Sequence, residues 1–286
     1  MRRYSAGTGF MCSRSFALYP KRRLAGNAMT KSRELAVILP VYNSERFIAD
    51  SVIRLHEYLA SISQNFEVVV VNDGSTDHSL DELSKLNGAT CRIISSAHNQ
   101  GKGGAVSLGM QQSNARCKMF LDADLPFELS IIRYARNLIL DYRYHIVIGD
   151  RTLPESTYVR MVNPVRKLTY RLFPHFIRLL VTGGLFDTQC GFKAFRSDIA
   201  DALFPLLTCR NFAFDVELLY IALKYNMSIR RIPVRFTSTN ESTVHPFVNG
   251  LQMIRAIAGL RKHWRRGDYT SSPLTKICST GYWQQG

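Results

Sequence analysis

Met119-Phe120-Leu121-Asp122-Ala123-Asp124 places two carboxylates one residue apart, directly after a short apolar run. With Lys118 to Leu121 as a buried strand, both carboxylates sit where the strand leaves its sheet. In open α/β sheets that carboxyl end is where ligands bind. Two oxygen ligands on one short turn suit a hard divalent cation, Mg²⁺ or Mn²⁺, that also holds a diphosphate. Asp-x-Asp alone is a common pair, so its neighbours decide what it means.

Similar polar stations follow two other apolar runs. Val69-Val70-Val71 leads into Asn72-Asp73-Gly74-Ser75-Thr76-Asp77. A carboxylate beside a glycine turn can accept hydrogen bonds from a nucleobase or ribose, and the helix start behind it offers free N–H groups. Equally, Asp73 and Asp77 can close an Asx turn and cap a helix. Pro40-Val41-Tyr42-Asn43-Ser44-Glu45 offers an aromatic ring for stacking, with amide and carboxylate for hydrogen bonding. Asn99-Gln100-Gly101-Lys102-Gly103-Gly104 allows close backbone approach but lacks P-loop spacing. Its Lys102 either meets phosphate at a helix start or is simply exposed.

These stations need a sheet whose strand ends lie together. Glu34 to Val41, Phe66 to Val71, Cys91 to Ser95, Lys118 to Leu121 and Ile146 to Gly149 read as strands. Helical patterns lie between them: from Ser44, a candidate N-cap, to about Ser61, after Asp77, through Gln112, and from Pro126 to about Asp141. Strand and helix alternating over 150 residues predict a largely parallel α/β sheet covered on both faces. The second half is less regular. Pro164 to Val181 mixes apolar and basic residues, Phe214 to Tyr225 is a strong helix, and Ile229 to Phe236 is a strand near an edge. Phe247 to Trp264 has an amphipathic pattern, and the polar stretch beyond Tyr269 reads as disordered.

Composition narrows the partners. The chain has 286 residues, 37 basic against 22 acidic, for a net charge of +15. Residues 1–33 are acid-free and supply a large part of that excess. They read as a basic disordered tail, an organelle transit peptide, or an over-extended start with Met29 as the true first residue. A second cluster is Arg261, Lys262, Arg265 and Arg266. Such clusters favour phosphate-bearing substrates or anionic membranes. With no zinc-finger spacing and no RNP-like motif, specific nucleic-acid binding is not expected. Six scattered cysteines without a C-x-x-C pair fit reduced thiols. No run of 18 apolar residues is present, and no G-x-G-x-x-G follows the first strand, which argues against a dinucleotide-binding dehydrogenase.

The three strand-end motifs, in this order, resemble the family-two glycosyltransferases of the GT-A fold, which use nucleotide-sugar donors. Asp187-Thr188-Gln189-Cys190-Gly191-Phe192-Lys193-Ala194-Phe195 and Phe212-Ala213-Phe214-Asp215-Val216-Glu217-Leu218-Leu219-Tyr220-Ile221-Ala222 are similar to the dolichyl-phosphate β-glucosyltransferase branch, as is Asn99 to Ala105. The resemblance covers about residues 34 to 268. It implies that Pro40, Tyr42, Asn43, Glu45, Asp73, Gly74, Ser75, Lys102, Asp122 and Ala123 hold the nucleotide sugar. Asp122 and Asp124 would hold Mg²⁺ or Mn²⁺. Arg151, Arg166, Gln189 and Lys193 would meet the acceptor phosphate, and Asp124, Arg151, Asp215 and Glu217 would serve catalysis. For Asp215 and Glu217 the alternative is a helix start stabilised by its own acids.

The implied reaction is inverting, metal-dependent transfer of a sugar, with glucose from UDP-glucose favoured, to a dolichyl or other polyprenyl phosphate. The alternatives are a GDP-mannose-dependent mannosyltransferase and a non-catalytic nucleotide-sugar binding module. The implied organisation is a tail (1–33), a GT-A catalytic domain (34–245), a membrane-proximal amphipathic helix (246–268) and a second disordered tail (269–286). The implied place is the cytoplasm, peripheral to a membrane: the cytosolic face of the endoplasmic reticulum or of a bacterial inner membrane. Two departures stand out. Related mannosyltransferases often carry Gln two residues after the second Asp, where this chain has Pro126, and the branch commonly has an N-terminal membrane anchor, where this chain has a basic tail. Membrane contact would then fall to the 164–181 and 247–266 stretches.

Overall fold

A computed structural model describes residues 33–86, 91–157, 187–237 and 259–279. Seven strands in these segments form one sheet: β1 Arg33–Val41, β2 Phe66–Asn72, β3 Arg92–Ser95, β4 Ala115–Leu121, β5 Ile146–Asp150, β6 Phe192–Arg196 and β7 Ile229–Pro233. Their order is β3-β2-β1-β4-β6-β5-β7. β1 to β4 pair in parallel, as the alternation of strand and helix predicts. β6 runs antiparallel between β4 and β5, and β7 returns to parallel beside β5.

Strand side chains alternate between two cores. In β1, Leu35, Val37, Leu39 and Val41 enter one apolar cluster while Ala36 and Ile38 enter the other. Burial on both faces is why these strands read as unbroken apolar runs. One face is covered by α1 Ile48–Ile62, α2 Ser79–Ser84 and α4 Ser130–Leu140. In α1, Ile48, Val52, Leu55 and Leu59 recur at helical spacing and are fully buried. The other face carries α3 Lys102–Gln112, α5 Ser197–Leu203 and α6 Phe214–Lys224. Every residue of α6 from Phe214 to Ala222 is buried, so it is a central helix and not an amphipathic surface one.

Several boundaries differ from the sequence expectations. Ser44 does not cap α1. The helix begins at Ile48, and Ser44 instead accepts the Phe47 and Ile48 amides on its backbone oxygen while its own N–H donates to Ser79 Oγ. Residues 269–286 are not a disordered tail throughout. Tyr269 is buried, and α7 Ser272–Ser279 plants Leu274 in the core beside α5. The polar composition misleads there because Tyr269 and Leu274 supply the anchoring. Helical residues 259–266 also pack inward through Leu260 and Trp264, whose ring meets Tyr220 and Tyr225 edge-on. The expected stretches 164–181 and 247–258 lie outside the described residues, as does Arg166.

Candidate active site

The carboxyl ends of β1, β2, β4 and β5 and the start of antiparallel β6 share one edge of the sheet. There β1 lies between β2 and β4, the crossover point at which open α/β sheets bind ligands. Asp122 leaves β4 with its N–H donating to Gly191 O at 3.1 Å, and Leu125 N closes the turn onto Asp122 O at 3.0 Å. Leu125 pays for that tight turn with a left-handed φ of 44°. Gly191 lies directly under the carboxylate: a Cβ there would sit 1.8 Å from Asp122 Oδ2.

Lys102, at the start of α3, donates to Asp122 Oδ1 at 2.6 Å. Burial alone would raise the Asp122 pKa, but the Lys102 ammonium, with Lys193 and Arg151 beyond it, brings it below the ordinary carboxylate range. Asp124 goes the other way, pushed up to about 6 by burial first and by the Asp122 charge second. Below this pair lies a second, deeper one. Lys193 of β6 and Asp215 of α6 meet at 2.5 Å with both side chains buried, and Lys193 also donates to Cys190 O. Burial raises Asp215 despite Lys193 and Lys102. Phe120 lies against both ammonium groups, 6.0 Å from Lys102 Nζ and 5.4 Å from Lys193 Nζ.

The donor set fits a hard divalent cation. Asp122 and Asp124 face the same turn, crowd each other electrostatically and remain partly accessible. Among the described residues no group of three or more His, Cys, Asp or Glu side chains could hold a metal. The protein thus offers two oxygen-bearing side chains, and phosphate oxygens and water would complete the shell.

Arg151 follows β5 on the same edge. Asp187 fixes it through three contacts, from Arg151 N at 2.9 Å, Nε at 2.8 Å and Nη2 at 2.7 Å. Asp187 is buried, which would raise its pKa, but the guanidinium holds it low. The Arg151 side chain keeps 29% of its surface exposed. Asp150, fully buried, accepts from Thr152 and Arg231 and so secures the turn from which Arg151 projects.

The loops after β1 and β2 are zipped together. Asn43 N donates to Ser75 Oγ, Thr76 N to Asn43 Oδ1, Glu45 N to Asp77 Oδ2 and His78 N to Glu45 Oε2. Asp77 also caps Ser79. Tyr42, after Pro40 at the end of β1, is exposed beside them. Asp73, buried, receives Gln100 N and Gly101 N at 2.8 Å each. Its place is therefore to fix the Gly101 loop, next to Gly74, whose left-handed φ of 67° makes the turn.

Beyond Asn43, Glu45 and Ser75, which join the two loops, other expected site residues also have structural partners. Glu217 is fully buried and accepts from Thr208 N, Thr208 Oγ1, Cys209 N and Tyr269 Oη. It anchors the segment after α5 and does not join the sheet edge. Lys193 is enclosed with Asp215, so it supports the carboxylates from below and offers no surface to an acceptor. Asp73 acts through backbone amides. Gln189 is partly buried one residue before Cys190, and Ala123 is buried between the two carboxylates. Sequence reasoning assigned no role to Asp187, Asp150 or Arg231. Only the adjacency of Asp150 to Arg151 and the motif beginning at Asp187 hinted at them.

Residues 36–204 match the model of the family described as glycosyl transferase family 2. A dolichyl-phosphate beta-glucosyltransferase of Drosophila melanogaster is 34% identical over 241 residues, covering 78% of this chain and 73% of that protein. The Dictyostelium discoideum protein of the same name is 30% identical over 246 residues, covering 82% and 75%. Among solved structures, glucosyl-3-phosphoglycerate synthase from Mycobacterium tuberculosis, in complex with Mn²⁺ and UDP-glucose, aligns with a TM-score of 0.55 at 19% identity, over 80% of this chain and 77% of that one. The shared architecture is the GT-A fold.

Proposed function

The chain belongs to glycosyltransferase family 2, and from that premise we propose that it transfers glucose from UDP-glucose to a dolichyl or related polyprenyl phosphate, with inversion and with Mg²⁺ or Mn²⁺. The observation that carries this reading is the Asp122/Asp124 pair sharing one sheet edge with the anchored guanidinium of Arg151. The names of the relatives support the sugar and the lipid phosphate. The metal- and UDP-glucose-bound structure with the same fold supports the donor and cofactor.

A lipid phosphate has a second pKa of about 6, so near neutral pH it is already an anionic nucleophile. No strong base is needed to activate it. The protein must instead bring two anions together and align them. Arg151, held rigid by Asp187, neutralises the acceptor phosphate. Asp122 and Asp124 would hold the divalent cation, whose charge would stabilise the departing nucleoside diphosphate. Lys102 adds a positive charge beside Asp122, and Tyr42 offers a face for the base. Lys193 keeps the buried Asp215 paired under the carboxylates. Attack from the face opposite the leaving group then inverts the anomeric carbon.

Among the described residues no helix is long and apolar enough to cross a membrane. Arg261, Lys262, Arg265 and Arg266 are exposed on helical residues 259–266. This face would meet anionic head groups, worth about 1 kcal/mol per basic residue near the surface. Liposomes containing phosphatidylserine should bind the protein and release it at high salt. Equal binding to neutral liposomes would remove the electrostatic reading.

The deciding experiment is sugar transfer to a short polyprenyl phosphate from UDP-glucose, GDP-mannose or UDP-GlcNAc, with and without Mg²⁺ or Mn²⁺, beside Asp124→Asn. The expected product is a β-linked glucosyl lipid that forms only with metal and is lost in the variant. Transfer from GDP-mannose alone would change the donor, and an α-linked product would exclude inversion. Binding of nucleotide sugar without any transfer would leave a binding module.

A further inference from the structure

The Glu217 carboxylate is a buried polar hub that the sugar-transfer chemistry does not use. Four donors converge on it: the N–H and hydroxyl of Thr208, the N–H of Cys209 and the hydroxyl of Tyr269, the last at 2.7 Å. Three come from the segment that follows α5. The fourth arrives from the far end of the chain, on a buried tyrosine held by a second clasp. Tyr225 Oη donates to Tyr269 O, and Ser271 N donates to Tyr225 Oη.

The segment so anchored is one wall of the Gly101 loop. Gly104 N donates to Arg210 O at 3.0 Å, and Arg210 Nη1 donates to Gln100 Oε1. Contact is so close that a Cβ on Gly101, whose φ is 87°, would lie 2.6 Å from Arg210 O. On its opposite side the same loop hangs from Asp73 through the Gln100 and Gly101 amides. Lys102, next in the chain, reaches Asp122. The loop that places Lys102 is thus gripped between Asp73 and the 208–210 segment, and Tyr269 stands behind that segment through the Glu217 carboxylate they share.

We propose that Tyr269 is a positioning residue for the donor side of the site, acting through Glu217 and residues 208–210 on the loop that carries Lys102. The inference rests on the nucleotide-sugar reading for its consequence, but the coupling itself does not. Residues 269–279 then belong to the catalytic unit.

The test is hydrogen exchange on the full-length protein with Tyr269→Phe, which keeps the buried ring and removes one donor. Hydrogen bonds to charged groups are among the stronger ones, so amide exchange in residues 99–104 and 207–211 should rise about 5- to 50-fold. Thr208→Val, which removes another donor to Glu217, should raise exchange in the same two segments. Leu138→Ala, in the apolar cluster on the opposite face of the sheet, should lower stability without that local pattern. Added exchange confined to residues 269–279 would overturn the proposal and make Tyr269 a mere anchor of the chain end.

Calorimetry with UDP and Mn²⁺ gives the functional arm. Tyr269→Phe should bind UDP about 3- to 10-fold more weakly, with the KM for polyprenyl phosphate unchanged. Equal UDP affinity in variant and wild type would overturn the donor-side role. A wild type that binds no UDP would count against the nucleotide-sugar reading instead, and the exchange pattern would still decide the coupling.

Discussion

A methyl group at position 191 would place its carbon 1.8 Å from Asp122 Oδ2, well inside contact distance. The carboxylate would have to turn away, and under the proposed function one of the two protein ligands for the cation would go with it. Gly191→Ala should therefore cut transfer at least about 100-fold, since a small misplacement can have that effect on a reaction governed by alignment. Mn²⁺ affinity by electron paramagnetic resonance should fall in parallel while the melting temperature changes little. Retained Mn²⁺ affinity would show that Asp122 can rotate without loss. That Asp122 and Asp124 share the turn at the end of β4 is legible in the sequence, because an apolar run followed by two close carboxylates is a local pattern. The glycine's role is not, because it depends on a strand from a distant part of the chain. Glu217 misleads for a related reason: an acid in the first turn of a helix has the same appearance whether it faces a substrate or four internal donors.

At the scale of elements, β6 and α6 are joined by the buried Lys193–Asp215 pair. Removing one partner of such a pair leaves an uncompensated charge in the core, at a typical loss of about 3–5 kcal/mol. Lys193→Met should show that loss as a lower urea midpoint. Lys193→Met combined with Asp215→Leu should recover most of it, while transfer stays impaired if the charges also tune Asp122. A double variant no more stable than the single one would count against the pairing account. Strands β1 to β5 can be found from apolar runs alone, within a few residues at their ends. β6 could not be, because its alternating Phe192, Lys193, Ala194, Phe195 hides a fully buried lysine. A charge at that position reads as a surface or a ligand site until its partner is known.

For the molecule as a whole, acid sensitivity should come partly from His145 at the start of β5. Its Nδ1 accepts Ser228 N at 2.9 Å, and burial, then Arg196, lower its pKa to about 4. The unfolded state, with an ordinary histidine near 6.5, binds the proton more readily. The His145 contribution is thus complete above about pH 6.5 and is lost as pH falls toward 4. Urea midpoints measured from pH 7 to 4.5 should drop, and His145→Asn, which preserves an acceptor for Ser228, should flatten part of that slope. An unchanged slope would assign the acid sensitivity to other groups. The parallel half of the architecture follows from local strand–helix alternation. The packing of residues 259–279 does not, because a few anchors such as Trp264, Tyr269 and Leu274 decide it against a polar background.

The antiparallel insertion of β6 also sets a condition on when the sheet edge can be complete. β1 to β4 and their helices are built from neighbouring stretches of chain, whereas the second edge of β4 pairs with residues far downstream. Closing such a long loop is entropically slow. Until β6 docks, Asp122 has neither the Gly191 carbonyl to hold its amide nor the glycine surface beneath its carboxylate. The loops after β1 and β2 can join each other through contacts of their own, while the Asp122 turn depends on a strand from further along the chain. The sheet edge that carries Asp122 is therefore complete only once β6 is in place.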